Sequence, residues 1–287
     1  MHYFDPNPDD AWWPRTATLD WCEHNFAITH LIAEFWNATT NLVFVYLAST
    51  GYLAAKHWQL PKRFQLAFLL LGLIGSGSFL FHATLSYSAQ LLDELPMIYC
   101  VCVLTYSIFQ ADVAHSRWDM WLRWALVSDA IVITLAYVWV KHPTFHQVAF
   151  GLHCVAILIR GSYRVQSLPN TYGRKQLVRL LAFSWGIQLL GFACWNFDNL
   201  ACHYLRGWRQ ALIHQYGPVL GTALAATLEM HGWWHILTGL GTYAYVVANT
   251  WMDILREDLE CDWQLTWKFG LVPIVQPRSL VPHRKFD

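Results

Sequence analysis

Long, predominantly apolar stretches, most of them close to 20 residues, limit the fold of this chain more than any other feature. A helix rises about 1.5 Å per residue and needs about 20 apolar residues to cross roughly 30 Å of hydrocarbon. Seven such stretches can be placed: Phe35 to Ala55, Phe64 to Ala83, Leu91 to Gln110, Trp121 to Val140, Gln147 to Ile159, Leu177 to Leu200 and His231 to Met252. The sequence therefore predicts an all-α integral membrane protein, a bundle of seven transmembrane helices.

The composition excludes several other classes of protein. Only 13% of the 287 residues are charged, whereas soluble domains carry about 25%, so a soluble enzyme and a disordered chain are both disfavoured. Lys and Arg total 19 and are balanced by 19 Asp and Glu, which leaves no basic excess for binding nucleic acid phosphates. We expect membrane lipids as partners, no nucleic acid, and no protein partner that the sequence identifies.

The distribution of Lys and Arg predicts the orientation of the bundle. If the N-terminus is lumenal, 15 of the 19 Lys and Arg residues lie on the cytosolic side, as the positive-inside rule requires. Met1 to Trp13 contains three Asp and no apolar core, so it is not expected to be a signal peptide. The chain divides into a lumenal segment (1–34), a seven-helix membrane domain (35–252) and a cytosolic tail (253–287).

Histidines near the lumenal ends of two stretches are candidate zinc ligands. His231 and His235 are four residues apart, as are Ser78 and His82, so each pair shares a helical face. In the predicted topology His82 and the His231/His235 pair lie at a similar depth. Three imidazoles suit a catalytic Zn²⁺ that keeps an open position for water. The alternative, ordinary packing of hydrogen-bonded histidines, stays open.

Carboxylates occur at the same predicted depth. Asp93 and Glu94 begin the third stretch, where they could take part in chemistry or only stabilise a helix N-terminus through its dipole. The second interpretation, stabilisation of the helix N-terminus, applies above all to Glu94. Asp198, near the end of the sixth stretch, could be a polar helix end or a supporting partner, and the sequence does not decide between these.

Oxygen-bearing residues cluster before the first stretch. Asp20, Glu23, Asn25 and Glu34 lie within fifteen residues, and carboxylate and amide oxygens are the ligands that Ca²⁺ prefers. Acidic residues before a helix are also common as solvated caps, so the spacing alone leaves both interpretations open.

The seven cysteines cannot all pair. Cys22 and Cys202 are both predicted to be lumenal, where a disulfide is permitted, and we treat them as a candidate pair. Four others, Cys100, Cys102, Cys154 and Cys194, fall in the stretches and are expected to pack as small apolar residues. A lone His153 in the fifth stretch is expected to be a hydrogen-bonded helix residue.

Several linked strings in this sequence resemble the alkaline ceramidases, which are seven-helix membrane amidases of the endoplasmic reticulum and Golgi. They are Asp20-Trp-Cys-Glu, Ala33-Glu-Phe-Trp-Asn37, Gly77-Ser-Phe-Leu-Phe-His82-Ala-Thr-Leu, Gln90-Leu-Leu-Asp93-Glu-Leu-Pro-Met and His231-Gly-Trp-Trp-His235-Ile-Leu-Thr-Gly. The resemblance covers roughly residues 15 to 252 and implies hydrolysis of ceramide to a sphingoid base and a fatty acid.

The resemblance also implies roles for individual residues. The zinc ligands would be His82, His231 and His235. Asp93 would be the proton acceptor, and Ser78 would support the oxyanion. Calcium, as a structural or regulatory ion, would be held by Asp20, Trp21 through its backbone carbonyl, Glu23, Asn25 and Glu34. His24 departs from the pattern, because many relatives carry an acidic residue there.

Two alternatives of other classes remain at this stage. A receptor of the adiponectin-receptor-like class would hold zinc on the same three histidines without significant ceramide turnover. A zinc or proton transporter would need polar groups along the whole membrane path, whereas here they cluster at one face. Detectable amide hydrolysis discriminates between the ceramidase and the receptor.

Overall fold

The computed structural model describes residues 11–12, 14–113 and 116–279. The first ten residues and residues 280–287 of the predicted tail lie outside this range. The described part contains nine helices and one two-stranded sheet. They are α1 (Phe35–Thr40), α2 (Leu42–His57), α3 (Lys62–Thr84), α4 (Tyr87–Val113), α5 (Arg117–Val140), α6 (Pro143–Ser167), α7 (Tyr172–Leu200), α8 (Cys202–Ala226), α9 (Met230–Arg256), β1 (Trp263–Lys268) and β2 (Val272–Pro277).

Five of the described helices are long and apolar enough to cross a membrane: α3, α4 over Tyr87–Gln110, α5, α6 and α7. The chain is therefore a predominantly helical, multi-pass membrane protein. The first predicted stretch is divided at Asn41 into α1 and α2, so neither piece alone reaches the length of a span. The fifth predicted stretch, Gln147 to Ile159, lies inside the longer helix α6.

Helix α9 is the central helix of the bundle, which explains why its composition is less apolar than that of a lipid-facing helix. Every residue from 243 to 254 is buried, and α2, α3, α4 and α7 pack around the helix. A helix that faces protein on all sides can carry polar residues such as Asn249 and Asp253, since these find partners inside the bundle. Asp253 forms an ion pair with Arg63 of α3.

Two regions whose sequence shows no recognisable motif form regular secondary structure. The connection 201–227 forms helix α8, which is kinked where Gly217 adopts a positive φ of 79° immediately before Pro218. After α9, strands β1 and β2 pair as an antiparallel hairpin. Trp263 and Val275 of the hairpin belong to the main apolar core, so this part of the tail packs against the helical bundle.

Helices α3 and α4 approach closely at Gly77. A Cβ atom on Gly77 would lie 2.1 Å from the backbone oxygen of Leu92, which is well inside van der Waals contact. This approach places the side chain of Ser78 on α3 next to that of Asp93 on α4. Glycine at position 77 is therefore required for the pairing of these two polar residues.

Replacing Gly77 by alanine should separate α3 from α4 and impair both stability and activity. Forcing extra atoms into a well-packed interior typically costs about 1–3 kcal/mol, and here the clash is with backbone. We expect a lower midpoint of thermal unfolding in detergent. Gly186→Ala in α7 is the matched control, because a Cβ there meets nothing within 4 Å. A Gly77→Ala protein as stable and active as the control would contradict this packing argument.

Candidate metal centre and catalytic residues

Three buried histidines from two helices meet at one end of the bundle. His82 lies in the last turn of α3, while His231 and His235 lie in the first turns of α9. One ring nitrogen from each lies within 4.8 Å of the others, and the ring centroids are separated by 5.1, 4.8 and 4.6 Å. The structure thus brings together the three imidazoles that the sequence singled out as a candidate metal site.

Partners on α1 and just before it fix the orientation of two of these rings. His82 Nδ1 lies 2.5 Å from the Glu34 carboxylate, and His235 Nδ1 lies 3.1 Å from the Thr40 hydroxyl and 3.2 Å from the side-chain nitrogen of Asn41. A carboxylate accepts hydrogen bonds, so Nδ1 of His82 donates to Glu34. The Nε2 lone pair of neutral His82 is then available to a metal, the arrangement that metal-binding histidines commonly show.

His231 supplies a third unshared nitrogen. Its Nδ1 atom is buried and has no hydrogen-bond partner among the described residues. The indole of Trp21 stacks on this ring with centroids 4.0 Å apart, which holds it in place. A buried nitrogen without a partner is costly unless something binds it. Three neutral, pre-oriented imidazoles at this spacing fit a Zn²⁺ ion.

A carboxylate and a hydroxyl lie on the neighbouring turns. Ser78 is one helical turn before His82, on the same face of α3, and its side chain lies next to that of Asp93. Ser78 and His82 are both almost completely buried. A carboxylate and a hydroxyl thus lie side by side one turn from a histidine of the cluster.

Glu94 points away from this pair into a separate hydrogen-bond network. Its carboxylate accepts hydrogen bonds from the Gln90 amide at 3.0 Å and from the Tyr137 hydroxyl, and its backbone carbonyl accepts one from His146 at 2.8 Å. These contacts tie α4 to α5 and α6. Of the two adjacent carboxylates, Glu94 is thus engaged in joining helices, while Asp93 faces Ser78.

The segment before α1 contains buried oxygen atoms, although several of its other residues are exposed. Asp20 Oδ2, Asn25 Oδ1 and Asn37 Oδ1 are buried and have no hydrogen-bond partner among the described residues. Glu23 accepts hydrogen bonds of 2.8 Å from the backbone N–H groups of Trp36 and Asn37, at the start of α1. Oxygens left without donors fit a hard cation, although Glu23 also serves as a helix cap.

Repulsion between the buried carboxylates of this segment also favours a bound cation. Burial raises the pKa of Glu34 well above its ordinary value, and the nearby Asp20 raises it further. Burial likewise raises the pKa of Glu23, with added repulsion from Glu229 and Glu34. A bound cation would favour the ionised form of these carboxylates and offset the repulsion.

The acidic segment is fastened to α7, α8 and α9 by contacts that no local sequence pattern revealed. Asp198 accepts hydrogen bonds from the backbone N–H groups of Cys22 at 3.2 Å and His231 at 3.3 Å. Arg209 of α8 pairs with Glu229 and donates to the Cys22 carbonyl at 3.1 Å. Asp198 is therefore a supporting residue that connects the first histidine of α9 to the acidic segment.

Cys22 and Cys202 are joined by a disulfide in the structure, across a sequence separation of 180 residues. Among the remaining described cysteines, Cys100, Cys102, Cys154 and Cys194 lie within helices and Cys261 follows α9. We expect mass mapping under non-reducing conditions to recover the peptides of Cys22 and Cys202 as one linked species that reduction separates. Recovery of both as free thiols in the purified protein would contradict this pairing.

Comparison with known proteins gives the family of this multi-pass helical protein. The model of the ceramidase family matches residues 13–276. The chain is 38% identical over 274 residues to alkaline ceramidase 3 of Mus musculus, covering 96% of each chain. It is 35% identical to alkaline ceramidase YPC1 of Saccharomyces cerevisiae, covering all of this chain and 92% of the relative. An alkaline ceramidase of Arabidopsis thaliana is 26% identical over 269 residues.

These matches cover nearly the whole chain, including both histidine-bearing helices and the acidic segment. The protein therefore belongs to the ceramidase family.

Proposed function

We propose that this protein is an enzyme that hydrolyses the amide bond of ceramide, giving a free sphingoid base and a fatty acid. The observation that carries this proposal is the convergence of three buried histidines near the adjacent side chains of Ser78 and Asp93. Membership of the ceramidase family supplies the substrate class, since the relatives are named alkaline ceramidases.

His82, His231 and His235 would hold Zn²⁺ as the resident metal. When bound, zinc lowers the pKa of water towards about 7 and polarises a carbonyl group. The chain itself provides three oriented neutral ligands for it. The Glu34–His82 hydrogen bond of 2.5 Å raises the basicity of one ligand and fixes its ring.

Asp93 moves the proton in this mechanism. As water adds to the amide carbon, the Asp93 carboxylate accepts a proton from it. When the carbon–nitrogen bond breaks, Asp93 returns that proton to the leaving nitrogen. The water is thus divided between the fatty acid and the sphingoid amine, and Asp93 ends in the form in which it began.

Ser78 acts in two successive steps of the reaction. With Asp93 ionised, the neighbouring Ser78 hydroxyl would donate to it and orient the carboxylate for proton transfer. Once Asp93 has taken up the proton it no longer needs that donor, so the Ser78 hydroxyl is free to turn to the oxyanion that forms on the amide carbon. A hydroxyl donor at a developing oxyanion stabilises the transition state.

The membrane topology suits a lipid substrate. We propose seven transmembrane segments, the first formed by α1 and α2, the last by α9, and the others by the five apolar helices. Residues 1–34 would be lumenal, 35–252 the membrane domain and 253–287 cytosolic, in the endoplasmic reticulum or Golgi. Ceramide, whose two chains partition into the bilayer, would then reach the site from between the helices.

Water needs a separate route, and a small cleft beside the site provides a candidate. The cleft measures about 180 Å³ and is lined by Trp36, Thr40, Ala226, Thr227, Glu229, Gly232, Trp233 and Ile236. Pockets for drug-sized ligands measure roughly 300–1,000 Å³, so this cleft is too small for a two-chain lipid but admits water. Thr40, in its wall, contacts His235. We assign the cleft to water entry.

Calcium would bind the segment before α1 through Asp20, the Trp21 carbonyl, Glu23, Asn25 and Glu34. It would act structurally, because Glu34 also orients His82 and Trp21 packs on His231. Loss of the cation would leave repelling carboxylates against the histidine cluster. Calcium thereby becomes a positioning ion for the active site.

Glu34→Gln should lower both calcium dependence and hydrolysis. The substitution removes a charge but keeps the size of the side chain. Changing the partner of a ligating histidine typically costs about 10–100-fold in metal affinity or activity, and we expect a loss in that range together with a weaker response to added Ca²⁺. Glu257→Gln, after α9 and paired with Arg256, serves as the control. An unchanged calcium titration and rate would refute the assignment.

The experiment that tests the function is release of sphingoid base by the purified protein from ceramides of differing acyl chain and base. We expect release that a zinc chelator abolishes. If the zinc-loaded protein releases no base from any ceramide, the proposed activity is wrong and the adiponectin-receptor-like interpretation takes its place.

A further inference from the structure

A second group of metal-binding side chains lies between α4, α5 and α6 and shares no residue with the histidine cluster. Cys102 Sγ lies 3.8 Å from Asp129 Oδ2 and 3.8 Å from His153 Nε2. His153 Nε2 lies 2.9 Å from Asp129 Oδ2. Each residue sits near the middle of its helix, which places the group well away from the helix ends that carry the other site.

The tautomer of His153 is fixed by its own helix. Its Nδ1 lies 3.0 Å from the backbone carbonyl oxygen of Ala149, and this oxygen only accepts, so Nδ1 carries the proton. In the neutral ring the Nε2 lone pair then faces the Asp129 oxygen at 2.9 Å. Two acceptors at this distance need a positive charge between them, either a proton or a metal ion.

The distances match a metal ion. Tetrahedral zinc with bonds of about 2.3 Å to sulfur and about 2.0 Å to nitrogen and oxygen places sulfur about 3.5 Å from each of the other ligands, and nitrogen about 3.3 Å from oxygen. The observed separations differ from these values by a few tenths of an ångström. A thiolate, an imidazole and a carboxylate also suit zinc in chemical type, unlike the oxygen-only sites of Ca²⁺ and Mg²⁺.

The surroundings add an electrostatic reason for a divalent ion. The side chain of Asp129 is 42% exposed and that of His153 15%, on helices of length and composition fit to cross the bilayer. An ionised side chain at this depth is costly unless it is paired. One divalent cation with a thiolate, a carboxylate and a neutral imidazole forms a group without net charge, which a membrane tolerates.

We propose that Cys102, Asp129 and His153 form a second metal site, which binds Zn²⁺ or a chemically similar thiophilic divalent cation and links α4, α5 and α6. Three protein ligands leave one coordination position for water or another small ligand. The proposal does not depend on ceramide hydrolysis. It also gives a shared role to Cys102 and His153, which the sequence analysis predicted to be a small apolar packer and a hydrogen-bonded helix residue.

Cobalt substitution tests the site through its sulfur ligand. The full-length protein in detergent is stripped with a chelator and loaded with Co²⁺. Thiolate ligation gives a near-ultraviolet charge-transfer band, whereas a site of three histidines has no sulfur and gives none. We expect the band in the wild type and in His231→Ala, and its loss in Cys102→Ala. Cys154→Ala, beside His153 on α6, is the matched cysteine control and should keep the band.

Metal content gives a second, independent readout. After loading with zinc, Cys102→Ala should hold one zinc ion per chain fewer than the wild type, and Cys154→Ala should equal the wild type. If Cys102→Ala does not fold, Asp129→Asn, which keeps the side-chain size, should show the same loss of zinc and a weakened band. No charge-transfer band in the wild type, or equal zinc in wild type and variant, would overturn the proposal and assign a proton to the His153–Asp129 contact.

Discussion

Replacing His231 by alanine should remove bound zinc and ceramide hydrolysis together. The three histidines provide three buried imidazoles, with one nitrogen of each within 4.8 Å of the others. A site that has lost one of its three ligands should no longer hold zinc. We expect the release of sphingoid base to fall to the background rate, with the zinc content lowered by one ion per chain. His82→Ala and His235→Ala should behave in the same way.

The effect must be separated from general damage to the fold. His214→Ala is the matched control, because His214 lies exposed on α8 and belongs to neither group of candidate metal ligands. It should keep both zinc and activity. A ligand variant that loses zinc yet turns over ceramide at the wild-type rate would disprove the assignment of these histidines to the reaction.

Asp93→Asn should give the opposite combination, a protein that keeps its zinc but loses turnover. The amide oxygen of asparagine can still accept a hydrogen bond from the neighbouring Ser78, so the contact between α3 and α4 survives, but an amide does not accept the proton. General acid–base catalysis contributes about 10²–10⁴-fold, and we expect kcat to fall by that amount. The measurement is kcat and zinc content on one preparation.

Asp119→Asn controls for the loss of a carboxylate in a helix. Asp119 pairs with the exposed Arg123 within α5, away from the histidine cluster, and its replacement should leave kcat unchanged. Wild-type turnover by Asp93→Asn would show that another group carries the proton.

Hydrophobicity marks the lipid-facing helices of this fold more clearly than its central helix. The lipid-facing helices α5 and α6 stand out by composition, because each must present apolar side chains to the bilayer. Helix α9 is buried by other helices instead. The sequence predicted an apolar stretch there, from His231 to Met252, but α9 is not among the five helices whose length and hydropathy suit a span.

The candidate site was predictable where its residues share a helix and less so where they do not. The spacing of Ser78 and His82, and that of His231 and His235, follows from helix periodicity. In contrast, the hydrogen bond between Glu34 and His82 joins residues 48 positions apart. From spacing alone, Glu34 was predicted only as a possible cation ligand. The structure gives it a second role, as the partner of a candidate zinc ligand.

The polar contacts that join α7, α8 and the start of α9 were not predicted. The pair of Arg209 and Glu229 joins α8 to the residue before α9, and no periodicity marks either one. Asp198 was recognised only as an undecided polar residue, and its two backbone partners explain why it lies at that helix end. Such pairs depend on how helices pack, which a single sequence does not encode as a local pattern.

The most direct test of the central claim is a zinc titration of the chelator-stripped protein with ceramide present. We predict that the stripped wild type releases no sphingoid base, that release returns in proportion to the zinc taken up, and that His231→Ala stays inactive at every zinc concentration. Full hydrolysis by the metal-free protein, or recovery of His231→Ala to the wild-type rate, would contradict the account.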